Sequence, residues 1–278
     1  MKITQAILPV AGLGTRFLPW TKVVPKELLP IGSQPIIALL VDECLSIGIT
    51  DICFVISHGK EMIPQYFFTD PELEAELRQR GKIDALGHLQ KYSNVNFHVV
   101  YQEKQLGDGH AILQARDWAK DDLVAVLFGD DLIAGKENGL EQLWKAYQKI
   151  LPSPAKGADL PAMLCLENVA REKVKKYGIA SIDQEHSQGR LKRVRELVEK
   201  PDPSVAPSTL GVVGKYLIPR STFDILQTLG AGHGGEIRLI DGLIKQLTHI
   251  PIYGYEVEGQ RLDTGTPEGY REAVQALS

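Results

Sequence analysis

Gly12-Leu13-Gly14-Thr15-Arg16-Phe17 follows a β-like apolar run over residues 3–10. Glycines after a strand let backbone N–H groups come close to a phosphate and cradle its oxygens. A dinucleotide fingerprint would place a third glycine where Phe17 stands, and a P-loop would need Gly-Lys-Ser/Thr, so neither common nucleotide motif is present. What remains is a glycine turn followed by Arg16, Lys22 and Lys26, in a segment stiffened by Pro19 and Pro25. Taken alone, the turn reads as an ordinary strand-to-helix connection with surface cations. Three cations between residues 16 and 26 make it a basic wall beside a phosphate-sized turn.

The elements that must position these residues alternate. Strands are expected over 3–10, 52–57, 97–102 and 123–128, and helices over 35–47 and 107–119. A charged helical stretch is expected over 71–92, with Leu73, Leu77, Leu86 and Leu89 as its inner stripe. Strands alternating with helices argue for a parallel sheet covered on both faces, with ligands at the C-terminal ends of its strands. Beyond residue 151 the texture changes. Pro152-Ser153-Pro154 opens a loop, and strands follow over 162–167, 178–182, 191–198, 210–217 and 252–257. Helices are expected over 222–229, 236–247 and 267–277. One compact unit of residues 1–278 is expected, with halves over about 1–150 and 151–278.

Composition bounds the partners. The 278 residues carry a net charge of −4, which excludes the basic excess of a broad nucleic-acid footprint. Apolar residues make up 44% and charged residues 24%, which excludes disorder. Cys44, Cys53 and Cys165 lie in apolar runs with no CxxC pair, so neither a zinc site nor a disulfide framework is implied, and the usage suits a reducing cytoplasm. No window of 18 uncharged apolar residues exists, and the N-terminus has no signal-peptide core, so no membrane association is expected.

The run from Ala11-Gly12-Leu13-Gly14-Thr15-Arg16-Phe17 through Lys22-Val23-Val24-Pro25-Lys26-Glu27-Leu28-Leu29-Pro30 resembles the opening of bacterial UTP–glucose-1-phosphate uridylyltransferases. These belong to the sugar-nucleotide pyrophosphorylases. Leu106-Gly107-Asp108-Gly109-His110-Ala111, Phe128-Gly129-Asp130-Asp131, Tyr177-Gly178, Val198-Glu199-Lys200-Pro201, Val212-Val213-Gly214, Gly235-Glu236-Ile237 and Asp263-Thr264-Gly265 follow in the family's order. The resemblance implies an α/β fold of nucleotide-diphospho-sugar transferase type. That is a Rossmann-like mixed, mainly parallel sheet flanked by helices, with a smaller sugar-binding α+β lobe. It also implies that the half over about 1–150 is nucleotide-binding and the half over about 151–278 sugar-phosphate-binding, and that the chain forms a homodimer or homotetramer.

The implied reaction joins glucose 1-phosphate to UTP and expels pyrophosphate. A phosphate monoester has its second pKa near about 6, so the attacking group is already mostly a dianion at neutral pH and needs no general base. The obstacle is the meeting of two polyanions, which cations and Mg²⁺ must screen. By resemblance, Ala11, Gly12, Gly14 and Thr15 meet the nucleotide, and Arg16 and Lys26 hold the triphosphate. Glu27, Gln102 and Gly107 serve the uracil side, where a mixed amide suits the N3–H flanked by carbonyls. Asp130, at a strand's C-terminal end, pairs with Asp263 to hold Mg²⁺, and Asp131 supports that pair. Thr266, before Pro267, caps the last helix and leaves Asp263 free. Gly178, Glu199, Lys200 and Val213 serve the sugar phosphate. The run Arg171-Glu172-Lys173-Val174-Lys175-Lys176 reads as a solvated helix face, and His110 as structural.

One residue departs from the family's pattern: Asp108 stands where a Gly-Leu-Gly-His-Ala run has leucine. An added carboxylate there either repels phosphate or faces solvent. Two rival readings stay open at this point, a thymidylyltransferase or related pyrophosphorylase and a catalytically weak homologue that binds sugar nucleotides.

Overall fold

The structure, a computed structural model, describes residues 2–151, 160–230 and 235–277, so the loop expected at Pro152-Ser153-Pro154 lies outside the described residues. The chain enters through β1 (Gln5–Pro9) and three short 3₁₀ turns at Thr15–Phe17, Trp20–Lys22 and Lys26–Leu28. A small hairpin, β2 (Pro30–Ile31) and β3 (Gln34–Pro35), leads into α1 (Ile36–Ser46). Then follow β4 (Asp51–Ile56), α2 (Met62–Gln65), α3 (Pro71–Gln79), α4 (Ile83–Leu89), β5 (Asn96–Tyr101), α5 (Asp108–Gln114) and β6 (Leu123–Leu127). The middle of the chain adds β7 (Asp131–Ala134), α6 (Gly139–Ile150), β8 (Ala162–Asn168), β9 (Gly178–Gln188), β10 (Leu191–Glu199) and β11 (Leu210–Pro219). The remainder is α7 (Ser221–Thr228), α8 (Leu239–Gln246), β12 (Ile252–Glu256), β13 (Gln260–Asp263) and α9 (Pro267–Leu277).

Nine strands form one sheet in the order β5-β4-β1-β6-β11-β8-β12-β10-β9. The first four run parallel, whereas β11 pairs antiparallel to both β6 and β8, and β10 antiparallel to β12 and β9. Alternation along β1 explains the two layers. Ala6 and Leu8 join the core that includes Leu40 of α1 and Leu143 of α6, while Ile7 faces the core that includes Ile112 of α5 and Leu243 of α8. Strand β6 (LVAVL) is buried at every position, as a strand covered on both sides must be. Val169, Val174, Ile179 and Ala206 form a third, smaller core.

Three elements differ from the sequence expectation. The stretch 71–92 is two helices, because the chain turns at Gly81 with φ +67°. Its expected leucine stripe holds in part: Leu86 is buried and Leu77 half-buried, whereas Leu73 and Leu89 are exposed, and Glu74 is buried against Arg78 and Gln90. Helix α6 and the β7–β13 ribbon were not anticipated, and both matter for the site. Among the described residues no helix is long and apolar enough to cross a membrane.

Candidate active site

Strands β1 and β6 are parallel neighbours, so the loops leaving their C-terminal ends share one edge of the sheet. The first loop carries Ala11 and Gly12, and the second Phe128-Gly129-Asp130. A cavity of about 290 Å³ opens between them and is lined by Ala11, Gly12, Gln102, Gly107 and Asp130. A second, of about 580 Å³, adjoins it and is lined by Arg16, Asp130, Lys200, Arg261 and Asp263. A third, of about 230 Å³, is lined by Gly178, Glu199, Lys200 and Val212.

Asp130 and Asp263 meet because of the ribbon that pairs β7 with β13 antiparallel, Asp131 opposite Asp263 and Leu132 opposite Leu262. The Thr264 amide donates to the Asp130 carbonyl at 2.7 Å and its hydroxyl donates to the same oxygen at 3.1 Å. Gly265 then lies between the two carboxylates. A Cβ added there would sit 2.7 Å from Asp130 Oδ2 and 3.0 Å from Asp263 Oδ1. Thr266 Oγ1 accepts from the Gly269 amide, which caps α9 as expected, while Asp263 Oδ1 accepts from the Gly265 amide. Two hard carboxylate oxygens beside a phosphate-sized cavity suit a small divalent cation that takes its other ligands from phosphate and water. Among the described residues no cluster of three or more metal-ligating side chains exists.

Lys26 Nζ lies 2.6 Å from Asp130 Oδ2. Burial acts to raise the Asp130 carboxyl, but the Lys26 ammonium outweighs it and holds the group below its ordinary value. Burial acts against the charge of Lys26 too, yet Asp130 and Glu27 keep it raised. Both groups are therefore charged at neutral pH. Arg16 Nη1 reaches the Gly265 carbonyl at 3.4 Å and is otherwise open to the cavity. Behind the pair, Asp131 Oδ2 accepts from the Gly214 amide at 3.0 Å, and its Oδ1 accepts from Arg261 Nε at 2.5 Å. Arg261 also donates to the Tyr177 hydroxyl at 3.0 Å and lies 3.8 Å from Asp263 Oδ2. Lower still, the fully buried Lys215 reaches Glu43 Oε1 and the Asp131 carbonyl, each at 2.9 Å. Burial raises the Glu43 carboxyl despite that partner. Lys215 and Glu43 gave no sequence signal beyond a charged residue inside an apolar run.

On the nucleoside side, Gln102 Nε2 donates to the Gly107 carbonyl at 2.9 Å and contacts His110 Nδ1 at 3.1 Å, so its Oε1 is the atom left to meet a ligand N–H. That bond makes His110 a structural residue, as read. Gly107 holds φ +101°, and a Cβ there would stand 2.5 Å from the Ile237 carbonyl oxygen, so only glycine fits. Glu27 is 1% exposed and its carboxylate accepts from Lys60 Nζ at 3.0 and 3.2 Å, and it stands among the residues that line the first cavity. Lys60, which also donates to the Val10 carbonyl at 2.7 Å, fixes the loop after β1 and was missed by sequence reasoning. Gly14 and Thr15 line none of the three cavities. Gly14 accepts from Thr21 Oγ1 at 2.8 Å, so these two shape the turn that delivers Arg16.

On the sugar side, Glu199 is flanked by Lys200 Nζ at 3.1 Å and Arg238 at 3.7 Å. Lys200 adopts φ +47°, a left-handed conformation uncommon outside glycine, at the very end of β10. Gly178 lies against Ile240 and Glu199. Val213, whose expected contact is through its main chain, has a buried side chain (2% exposed) and lies opposite Cys165 in the ladder, and its neighbour Val212 lines the second and third cavities. The charged residues of the run Arg171–Lys176 are exposed, as expected of a solvated helical face. The run forms a 3₁₀ turn anchored by buried Val174, and Lys175 and Lys176 line the second cavity beside Lys200. Asp108 is exposed on the wall of the first and third cavities, and its Oδ1 accepts from the Leu239 amide at 2.8 Å, at the start of α8.

Comparisons with known proteins agree with this geometry. The nucleotidyl transferase family model matches residues 5–278. The chain is 38% identical over 270 residues to the UTP–glucose-1-phosphate uridylyltransferase of Bacillus subtilis (strain 168), covering 97% of this chain and 89% of that protein. It is 40% identical over 271 residues to UTP–glucose-1-phosphate uridylyltransferase 2 of Staphylococcus saprophyticus, covering 97% and 90%. Among solved structures, UTP-bound UGPase from Acinetobacter baumannii superposes with a TM-score of 0.86 at 34% identity, over 98% of this chain and 92% of that one. A UDP-glucose pyrophosphorylase complexed with UDP-glucose superposes with a TM-score of 0.84 at 32% identity, over 99% and 98%. A glycine loop, a carboxylate pair drawn from distant strands and a match along nearly the whole chain converge on one conclusion: this chain belongs to the nucleotidyl transferase family, among the UTP–glucose-1-phosphate uridylyltransferases.

Proposed function

We propose that this chain transfers a uridylyl group from UTP to glucose 1-phosphate, giving UDP-glucose and pyrophosphate. The observation that carries the reading is the convergence of Lys26, Asp130 and Asp263 at one edge of the sheet, between a nucleoside-sized cavity and a basic one. Nucleotidyltransferases of this type use a divalent metal, and Mg²⁺ fits the two hard carboxylates of Asp130 and Asp263. When bound there, Mg²⁺ supplies positive charge to the triphosphate.

The remaining roles belong to the chain. Ala11 and Gly12 offer backbone to the nucleotide, and Gln102 Oε1 accepts from the uracil N3–H. Arg16 reaches two phosphate oxygens through its planar fork, while Lys26 acts as a point charge. Lys200, with Lys176 beside it, holds the sugar phosphate, and Glu199 accepts from sugar hydroxyls. A phosphate oxygen of glucose 1-phosphate attacks the α-phosphorus, the bond to the bridging oxygen breaks, and pyrophosphate leaves opposite. No protein base is needed, because the attacking phosphate is already ionised. Lys26 leaves Asp130 as the triphosphate arrives and neutralises the leaving group, so the chain contributes position and preset charge.

Pyrophosphate release, measured over UTP, dTTP, ATP and GTP against several hexose 1-phosphates, tests the reading. Turnover with UTP and glucose 1-phosphate well above every other pair is expected. Preference for dTTP, or UDP-glucose binding without turnover, would overturn it. Homodimer or homotetramer formation belongs to the same reading and is checked by light scattering.

A further inference from the structure

Asp108 lines both the nucleoside cavity and the sugar cavity, together with Glu236, so it stands on the partition between them. One of its oxygens is engaged by the Leu239 amide at 2.8 Å. The cations nearby are engaged elsewhere: Lys200 and Arg238 both reach Glu199, and Arg238 reaches Glu236. Among the described residues no cation pairs with Asp108, and Glu199 and Glu236 act on it as like charges. A carboxylate in that position repels phosphate oxygens, so the ligand group that suits it is a hydroxyl donor. The two sources of such a hydroxyl at this junction are the ribose of the nucleotide and the hexose of the sugar phosphate.

We infer that Asp108 is a specificity-determining residue that accepts a hydrogen bond from a ligand hydroxyl where the nucleoside and sugar cavities meet. The inference deepens the uridylyltransferase reading and rests on it. A site built to receive a hydroxyl rejects the analogue that lacks it, because the carboxylate is then left without its donor. Helix α8 adds a structural duty, since the same side chain binds the first amide of that helix. The test must separate the two duties.

Steady-state kcat/KM is measured for the wild type, Asp108→Asn and Asp108→Ala. One arm compares UTP with dUTP, and the other compares glucose 1-phosphate with its 2-, 3-, 4- and 6-deoxy analogues. Asparagine keeps an oxygen for the Leu239 amide and loses the charged acceptor, so its readout survives even where the alanine variant fails to fold. The wild type is expected to reject one deoxy analogue by about tenfold or more, and Asp108→Asn to cut that ratio at least about fivefold. A shift confined to dUTP assigns the ribose, and one confined to a deoxyglucose phosphate assigns the hexose; either supports the inference. Ratios within about twofold of wild type in both arms would overturn it while leaving the main reading intact. Absence of wild-type turnover with UTP and glucose 1-phosphate would instead remove the main reading, and this inference with it.

Discussion

Gly265→Ala is the most direct perturbation of the carboxylate pair that touches neither carboxylate. The new methyl would stand 2.7 Å from Asp130 Oδ2, 3.0 Å from Asp263 Oδ1 and 3.3 Å from Asp130 Cγ. Comfortable non-bonded contact begins near about 3.5 Å, so both carboxylates must retreat by roughly half an ångström or more, in opposite directions. Gly265 is not among the glycines with positive φ, so its backbone accepts alanine and the fold should tolerate the change. The melting temperature is therefore expected to fall by no more than about 4 °C, the shift that about 1 kcal/mol produces in a chain of this size. Catalysis should suffer far more, because displacement on the ångström scale costs about 10²-fold. The assay is kcat and apparent metal affinity from pyrophosphate release over a Mg²⁺ titration. A soluble, folded Gly265→Ala enzyme with wild-type kcat and wild-type Mg²⁺ dependence would refute the reasoning.

Three further outcomes follow from the same geometry. Lys26→Met should lower kcat by about 10²-fold or more, since Lys26 supplies preset charge to the leaving group; single-turnover rates check this. Lys200→Ala and Lys176→Ala should each raise KM for glucose 1-phosphate several-fold while leaving KM for UTP near wild type, and equal effects on both substrates would contradict the sugar-phosphate role. Lys215→Met strands Glu43 in the core and should cost about 3–5 kcal/mol at pH 7, read by urea denaturation. Burial raises the Glu43 carboxyl above its ordinary 4.5, so the folded chain keeps a proton that the unfolded chain releases. Its stability contribution accordingly falls as pH rises above that value. The deficit of Lys215→Met should be smallest near pH 5 and larger at pH 8, and a pH-independent deficit would exclude this cause.

Much of the site could be read from residue types, where a motif sat at the end of an apolar strand. Gly12 and Asp130 follow β1 and β6, both buried runs whose ends fix the cleft. Helix α9 appears at Pro267–Leu277 as expected, because a capping threonine before proline is a strong local signal. The joining of Asp130 to Asp263 was legible only by family resemblance. Its physical agent is a pair of four-residue strands, and one of them, Gln260–Asp263, begins with two polar residues and has no apolar period. Helix α6 was missed although its signal was present: Asn138 and Glu141 form a capping box before Leu140, Leu143, Trp144 and Tyr147. The Lys60 partner of Glu27 was not legible, because it is a single lysine in a distant loop. Which side chains of β11 face the cavities was not legible, since a bulge between Val213 and Tyr216 breaks the alternation that would have assigned them.

The central claim is that the carboxylates of Asp130 and Asp263 together hold the catalytic divalent ion. Crystals grown with UTP and Mn²⁺, with data collected at the manganese absorption edge, test it most directly. An anomalous peak within about 2.2 Å of oxygens from both Asp130 and Asp263 and of a phosphate oxygen is the predicted result. A peak held by phosphate alone, or by other side chains, would contradict it.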